Sequence, residues 1–382
     1  MARKRADPPP SINALRGRLL AWYARGHRDL PWRRTSDSWP IWVSEIMLQQ
    51  TRVETVIPYY ARFLARFPDP RTFASAPLAD VLAHWSGLGY YRRARLLHAA
   101  AAEVVRDHDG AFPRSLEAAH ELPGIGRSTA GAIVSIAYGE RAPVLDGNVK
   151  RVLTRLFALR GDSDARDLEA RLWRIAREFV DCEQPGDVNQ VLMELGATLC
   201  LPFAAARCAE CPVQSLCRAR ERGIVAELPE KKTKTRLVAQ TWLCAVASRA
   251  GRLLVRQRPP SGLLQGMWEF PTFEAPPGLA ADGAAAHLRA QLRDRFGAAF
   301  RVGVELLTHR QVISNRKVTQ RVFAASATGA LDGAARWLDD AAIERLGITT
   351  ATRRILARLR AVTRAGASRF ARARTRACLT FR

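Results

Sequence analysis

The stretch LPGIGRSTA, residues 122–130, decides how this chain is read. A proline and two glycines stand ahead of small residues that open a helix. Upstream, SLEAAHEL (115–122) has helical rather than strand patterning. A dinucleotide-binding fingerprint needs a strand before its glycines and a third glycine, and both are missing. A Walker loop needs Gly-Lys followed by Ser or Thr, also missing. What remains is helix, tight hairpin, helix. Backbone N–H groups at Gly124 and Gly126, with the N-terminus of the following helix, can hold one phosphate oxygen without reading sequence. The same residues also suit a plain helix–helix turn, so the choice rests on their surroundings.

Outward from the hairpin, residues 11–225 repeat apolar residues at three and four spacing, as in INALRGRLLAWYARG, WVSEIMLQQT, VIPYYARFLARF and LEARLWRIAREFV. Short breaks such as FPDP, GLGYY and LDGN separate them. The spacing predicts an all-α domain over 11–226. ELPEKKTKTRLVAQ (227–240) is charged and lacks apolar periodicity, which predicts a linker. Beyond it, TWLCAVAS, RLLVRQRP and RKVTQRVFAASA read as strands, and AAAHLRAQLRDRF and TRRILARLRAV as helices. The second domain, 241–362, is therefore α+β. The basic residues 1–10 and the arginine-rich tail 363–382 are expected to be disordered.

The 382 residues carry a net charge of +24, and only 6 of the 60 basic residues are lysine. Such an excess points to a polyanionic partner, most simply nucleic acid, although a general preference for arginine would produce it too. No apolar run is long enough to cross a bilayer. MARKRADPPP lacks the apolar segment of a secretion signal, so a cytoplasmic protein without a membrane role is expected. Four of the seven cysteines, Cys200, Cys208, Cys211 and Cys217, fall within 18 residues. In a cytosolic chain that grouping suggests a metal site, and the spacing alone leaves [4Fe–4S] and tetrahedral Zn²⁺ both open.

Hairpin, Asp146 in VLDGNVKR (144–151) and the cysteine group occur in the order that resembles the helix-hairpin-helix DNA glycosylases of the endonuclease III superfamily. The resemblance covers most of 11–220. Members that also cut the strand carry a lysine at the position of Ser128. A serine cannot form an imine, so base removal without efficient strand cleavage is expected. LPWR (30–33), VSEIMLQQTRVETVIPYY (43–60), GLGYYRRAR (87–95), GRSTAGAI (126–133), LDGNVKR (145–151) and NQVLMELGA (189–197) look like the A/G-specific adenine glycosylase branch.

That resemblance makes Glu45 the acid at the base and sets Asp146 towards the sugar. It implies that Gln50 and Tyr90 hold the opened stack, with Gln49 beside them at the DNA. It brings Arg33, Ser128, Asn148 and Gln190 to the flipped adenine, with Asn148 among the catalytic group. It also favours [4Fe–4S] at the four cysteines, although the first gap is seven residues where the family usually has six. The chemistry needs both acids. Adenine is a poor leaving anion and must be protonated, while the sugar gains oxocarbenium character. Glu45, among Ile46, Met47 and Leu48, is expected to be neutral; Asp146, beside Gly147 and Asn148, is expected to be ionised.

TWLCAVASRAGRLLVRQRPPSGLLQGMWEFP (241–271) resembles the nudix-like C-terminal domain of the same enzymes. Between Glu274 and Glu305 there is no glutamate, so the Mg²⁺ site of a nudix hydrolase is missing. In THRQVISNRKV (308–318) the resemblance makes Ser314 the contact to 8-oxoguanine. The resulting expectation is a monomeric, monofunctional glycosylase for adenine mispaired with 8-oxoguanine or guanine in duplex DNA. The alternatives are an endonuclease III-type lyase acting on oxidised pyrimidines and a non-catalytic, metal-containing DNA-binding protein.

Overall fold

The computed structural model describes residues 10–230, 237–331, 333 and 335–365. The expectations for residues 1–9, for the middle of the linker (231–236) and for the tail from 366 lie outside them. Contacts divide the chain into two units, Met1–Ser75 with Arg95–Lys234, and Ala76–Ala94 with Thr235–Arg382. No single helix among the described residues is long and apolar enough to cross a membrane.

The first unit is helical, as its periodicity predicts. It contains α1 (Ile12–Gly26), α2 (Ser38–Leu48), α3 (Val53–Arg66) and α4 (Pro70–Ser75). The chain then passes through α5 (Leu78–Trp85), which groups with the second unit, and α6 (Arg92–Asp107). It returns for α7 (Leu116–Glu121), α8 (Arg127–Tyr138), α9 (Gly147–Leu156), α10 (Arg166–Val180), α11 (Pro185–Thr198) and α12 (Arg218–Glu221). Short polar residues set the starts: Asp37 caps α2 through Trp39 N–H, and Ser115 caps α7 through Ala118 N–H. α8 is buried on consecutive residues from Ala130 to Ser135, which marks it as a central helix. Trp39, Trp42, Phe63, Phe67, Phe73 and Phe112 fill one core region, and the apolar faces of α1, α9, α10 and α11 fill another.

The hairpin between α7 and α8 is as read from LPGIG. Ile125 is buried and its N–H donates to Leu122 O at 3.1 Å. Gly124 sits at φ +77°, and a Cβ there would lie 2.7 Å from Leu96 Cβ. Both the backbone and the space therefore demand glycine. Gly124→Ala is expected to destabilise the protein by about 1–3 kcal/mol. An unchanged thermal midpoint would contradict that geometry. Gly126, by contrast, opens α8 at an ordinary φ of −80° with nothing within 4 Å of a Cβ position, which leaves the hairpin open on that side.

The second unit is the expected α+β domain. Its strands are β1 (Val238–Arg249), β2 (Arg252–Gln257), β3 (Trp268–Glu269), β4 (Thr272–Glu274), β5 (Ala299–Ile313), β6 (Arg316–Thr328) and β7 (Ala335–Leu338). Its helices beyond α5 are α13 (Ala284–Phe296), α14 (Asp340–Glu344) and α15 (Thr350–Ala365). The sheet runs β3-β2-β1-β6-β5, with β4 on β1 and β7 on β2. β1 and β6 are parallel, while β5 and β6 form an antiparallel hairpin. Leu243 and Ala245 face the α13 side with Leu288 and Leu292; Cys244 and Val246 face the α15 side with Ile355 and Leu356. Because both faces are covered, the middle of β1 reads as a continuous apolar run.

One part of the expected division differs. Ala76–Ala94 lies inside the 11–226 stretch but packs with the C-terminal unit. Ser86 Oγ and Tyr91 OH both donate to Ile348 O at 2.9 Å, and Arg353 Nη2 donates to Ser86 Oγ at 2.7 Å. These partners are more than 250 residues apart, so no local periodicity could reveal them.

Candidate active site

Three side chains, those of Asn189, Ser128 and Asp146, fix the turn that carries Asp146. Asn189 on α11 is almost fully buried; its Nδ2 donates to Ser135 Oγ and Ala142 O at 2.8 Å, and its Oδ1 accepts from Val144 N–H at 3.0 Å. Ser128 Oγ accepts from Leu145 N–H at 3.0 Å. Asp146 caps α9, accepting from Val149 N–H at 2.7 Å and Asn148 Nδ2 at 3.3 Å. Ser128 therefore has a structural role in holding this turn.

The turn opens onto a cavity of about 640 Å³, within the usual size range of small-ligand pockets. Its lining includes Arg33, Glu45, Gln49, Gln50, Ser128, Asp146, Asn148 and Gln190, eight residues that the sequence singles out from five separate segments. Gln49 Nε2 donates to Thr129 Oγ1 at 3.2 Å, and Gln190 Oε1 accepts from Tyr23 OH at 3.2 Å. Gly124 and Gly126 belong to the hairpin at the start of α8 and do not line the cavity. Tyr90 and Ser314 lie in the other unit.

The two acids share this cavity in different surroundings. Burial, reinforced by the negative charge of Asp146 and opposed by Arg33, pushes the Glu45 carboxyl up to about 7. Asp146 does not sit in the open, polar turn that the sequence suggests. Burial raises its carboxyl above the ordinary range, against the hydrogen bonds from Val149, the Asn148 backbone and side chain, and the charge of Arg151. Those donors favour the carboxylate, whereas the charge of Asp146 favours the proton on Glu45. Burial thus raises both carboxyls, and of the two, among the described residues, only Asp146 has hydrogen-bond donors that oppose the rise.

Sequence reading missed three charged members of the wall. Glu194 on α11 accepts from Arg28 Nε and Nη2, each at 2.8 Å, and from Arg33 Nη2 at 2.8 Å. Burial opposes its ionisation, but the two guanidinium groups prevail and hold it down to about 2. Arg151 donates to Asn148 Oδ1 at 2.9 Å, Gly196 O at 2.8 Å and Cys200 O at 2.8 Å. The buried Glu in NQVLMELGA is the signal that was available, because an isolated carboxylate on an apolar helix face needs cationic partners.

Gln50, Tyr90 and Ser314 share one unusual property. All three are exposed non-glycine residues at positive φ, +55°, +48° and +55°. Such strain costs on the order of 1–2 kcal/mol per residue, and exposed Asp109, Phe203 and Ala250 share it, so it does not by itself set these three apart. Tyr90 follows Gly89 at φ +73°, and Ser314 forms a two-residue turn with Asn315 between Ile313 and Arg316.

The four clustered cysteines line one small apolar cavity with Val152, Leu156, Leu195 and Leu199. Buried Arg155 brings Nη1 within 3.4 Å of Cys200 Sγ. Burial pushes the Cys211 thiol up to about 12, so thiolates gathered here need a bound cation. No three His, Cys, Asp or Glu side chains among the described residues gather as a single ion requires.

Residues 43–178 match the family described as HhH-GPD superfamily base excision DNA repair protein, and residues 242–358 match the NUDIX domain. The human adenine DNA glycosylase is 39% identical over 68% of this chain and 58% of its own length. The rat adenine DNA glycosylase is 35% identical over 90% of this chain and 77% of its own length. A solved thermostable thymine-DNA glycosylase is 28% identical with a TM-score of 0.51, covering 55% of this chain and 97% of that one. The chain spans about three fifths of the length of the human and mouse relatives, 58% and 62%.

Proposed function

This chain belongs to the adenine DNA glycosylase family, and from that premise we propose that it hydrolyses the N-glycosidic bond of adenine mispaired with 8-oxoguanine or guanine in duplex DNA. It acts as a monomeric, cytoplasmic base-excision repair enzyme. The observation that carries this reading is the pair Glu45 and Asp146 on one cavity, the first held near neutrality and the second supplied with donors to its carboxylate.

The target nucleotide must leave the stack to enter such a cavity. Gln50 and Tyr90 hold the gap open, and Ser314 contacts the opposing oxidised base. Arg33, Asn148 and Gln190 bear on the flipped adenine, with Gln49 at the DNA beside Gln50. The Glu45 carboxyl gives its proton to a ring nitrogen of the adenine. The C1′–N9 bond breaks, and its electron pair leaves with the base. The Asp146 carboxylate stabilises or traps the oxocarbenium carbon. Water then adds to C1′, displacing the Asp146 carboxylate where it has bonded there, and the water's proton returns to Glu45, leaving adenine and an abasic site. Because Glu45 must be protonated, the rate is expected to fall as pH rises through its value of about 7, and because Asp146 must be ionised with a carboxyl raised by burial, to fall again towards acid pH.

Among the described residues no lysine lines the cavity, which supports the monofunctional reading. Ser128 stands where a nucleophilic lysine would be needed. Lys150, the nearest lysine in sequence, is held by Asp164 at 2.6 Å and Glu169 at 2.7 Å. Cys200, Cys208, Cys211 and Cys217 would hold a [4Fe–4S] cluster. When bound, it supplies a structural cross-link rather than chemistry, since the hydrolysis transfers no electrons.

The test is incubation with duplexes carrying A·8-oxoG, A·G or thymine glycol, followed by alkali. Abasic sites at adenine in the first two support the reading; cleavage only at thymine glycol refutes it. Borohydride added during turnover is expected to trap no covalent protein–DNA adduct. An adduct formed in good yield would instead show a lyase.

A further inference from the structure

The cavity wall holds three carboxylates, and the reaction described above uses two of them. The third, Glu194, is 2% exposed and accepts three charge-assisted hydrogen bonds from Arg28 and Arg33. Arg33 is fixed further by donating from Nη1 to Arg28 O at 3.0 Å. Two cations and one anion leave the triad with one net positive charge. Buried ionic groups contribute little to stability compared with apolar side chains of similar volume. Packing alone therefore does not account for a triad set in the wall of a catalytic cavity.

We propose that Glu194 is a positioning residue for base release: it fixes the Arg28–Arg33 pair at the cavity wall and cancels half its charge, and so sets how much positive potential the acid Glu45 faces. The proposal rests on Glu45 being that acid. Arg33 is the cation that draws the proton away from Glu45, and Asp146 opposes it. The remaining charged group in the wall is Arg151 on α9, held by Asn148 and Gly196. α8 contributes only Ser128, Thr129 and Ile136, none of them charged. Tyr23 on α1, bonded to Gln190, is pushed up to about 12 by burial and stays neutral. Among the described residues, Glu194 is thus the one lining anion besides the reacting pair.

The experiment follows the single-turnover rate of adenine release from an A·8-oxoG duplex across pH 5–9. Glu194→Gln raises the triad from one net positive charge to two. The alkaline fall in rate should then move to lower pH by up to about one unit, the upper scale for one charge added in a partly buried wall. Arg28→Gln makes the triad neutral, and the fall should move up by a similar amount. The double variant restores one net charge, and its fall should return to the wild-type position whatever its absolute rate. A loss in Glu194→Gln that is uniform at every pH overturns the proposal, as does an unmoved fall in Arg28→Gln. If thermal melting shows Glu194→Gln unfolded, Arg28→Gln alone decides. Wild type that releases no adenine instead refutes the functional reading beneath the proposal.

Discussion

Glu45→Gln is expected to lower the single-turnover rate of adenine release at pH 7 by about 10²–10⁴-fold, the usual range for loss of a positioned general acid. The amide has nearly the volume of the carboxyl and cannot give up a proton at neutral pH. The cavity survives, so affinity for the mispaired duplex should stay within a few-fold of wild type. Stability provides a second reading. A carboxyl raised from 4.5 to about 7 in the folded state loses stability as pH climbs through that interval, because the folded chain binds the extra proton. The glutamine variant lacks this loss. Its thermal midpoint relative to wild type should therefore rise between pH 4.5 and 7. A rate within ten-fold of wild type would remove Glu45 from the reaction, and a flat difference in midpoint would remove the proton from Glu45.

Legibility depended on whether a feature was local. The hairpin was legible because LPGIG encodes a positive φ and a close approach within a few residues. The helices were legible because α3, α9 and α10 carry clear amphipathic spacing, and the all-α and α+β halves separate at the charged stretch after residue 226. Glu45 and Asp146 were legible as a pair because each sits in a distinctive motif, although 101 positions separate them in the sequence. The electrostatics of Asp146 were not. A turn of Asp, Gly and Asn looks polar, and only the fold shows Ser128 and Asn189 drawing that turn inward. Glu194 was hidden for a related reason. Its helix presents Val191, Leu192 and Leu195 to the core, and its arginine partners are more than 160 residues upstream. The docking of Ala76–Ala94 onto the C-terminal unit was likewise a long-range packing outcome, carried by Ile348 and Arg353.

Asp146→Asn should cost a comparable factor, about 10³-fold or more in rate, but its pH signature should differ from that of any loss at the acid. The asparagine Oδ1 can still accept from Val149 N–H, so α9 keeps its cap. The bond from Asn148 Nδ2 is lost, because an amide N–H₂ now faces it. Arg151 holds the Asn148 Oδ1, which prevents that side chain from turning over to compensate. A fall in stability of about 1 kcal/mol is expected from that one broken bond, too little to account for the rate. Removing the Asp146 charge also removes one of the two influences that hold the proton on Glu45. The residual activity should therefore lose its alkaline limb at a lower pH than wild type does. A variant that is slow but keeps the wild-type limb would mean that the two carboxyl groups do not sense each other. One that retains wild-type speed would mean that no carboxylate is needed at the sugar. Either result would separate the pair on which the chemistry depends, whereas a slow enzyme with a lowered limb requires both acids to act on the same bond.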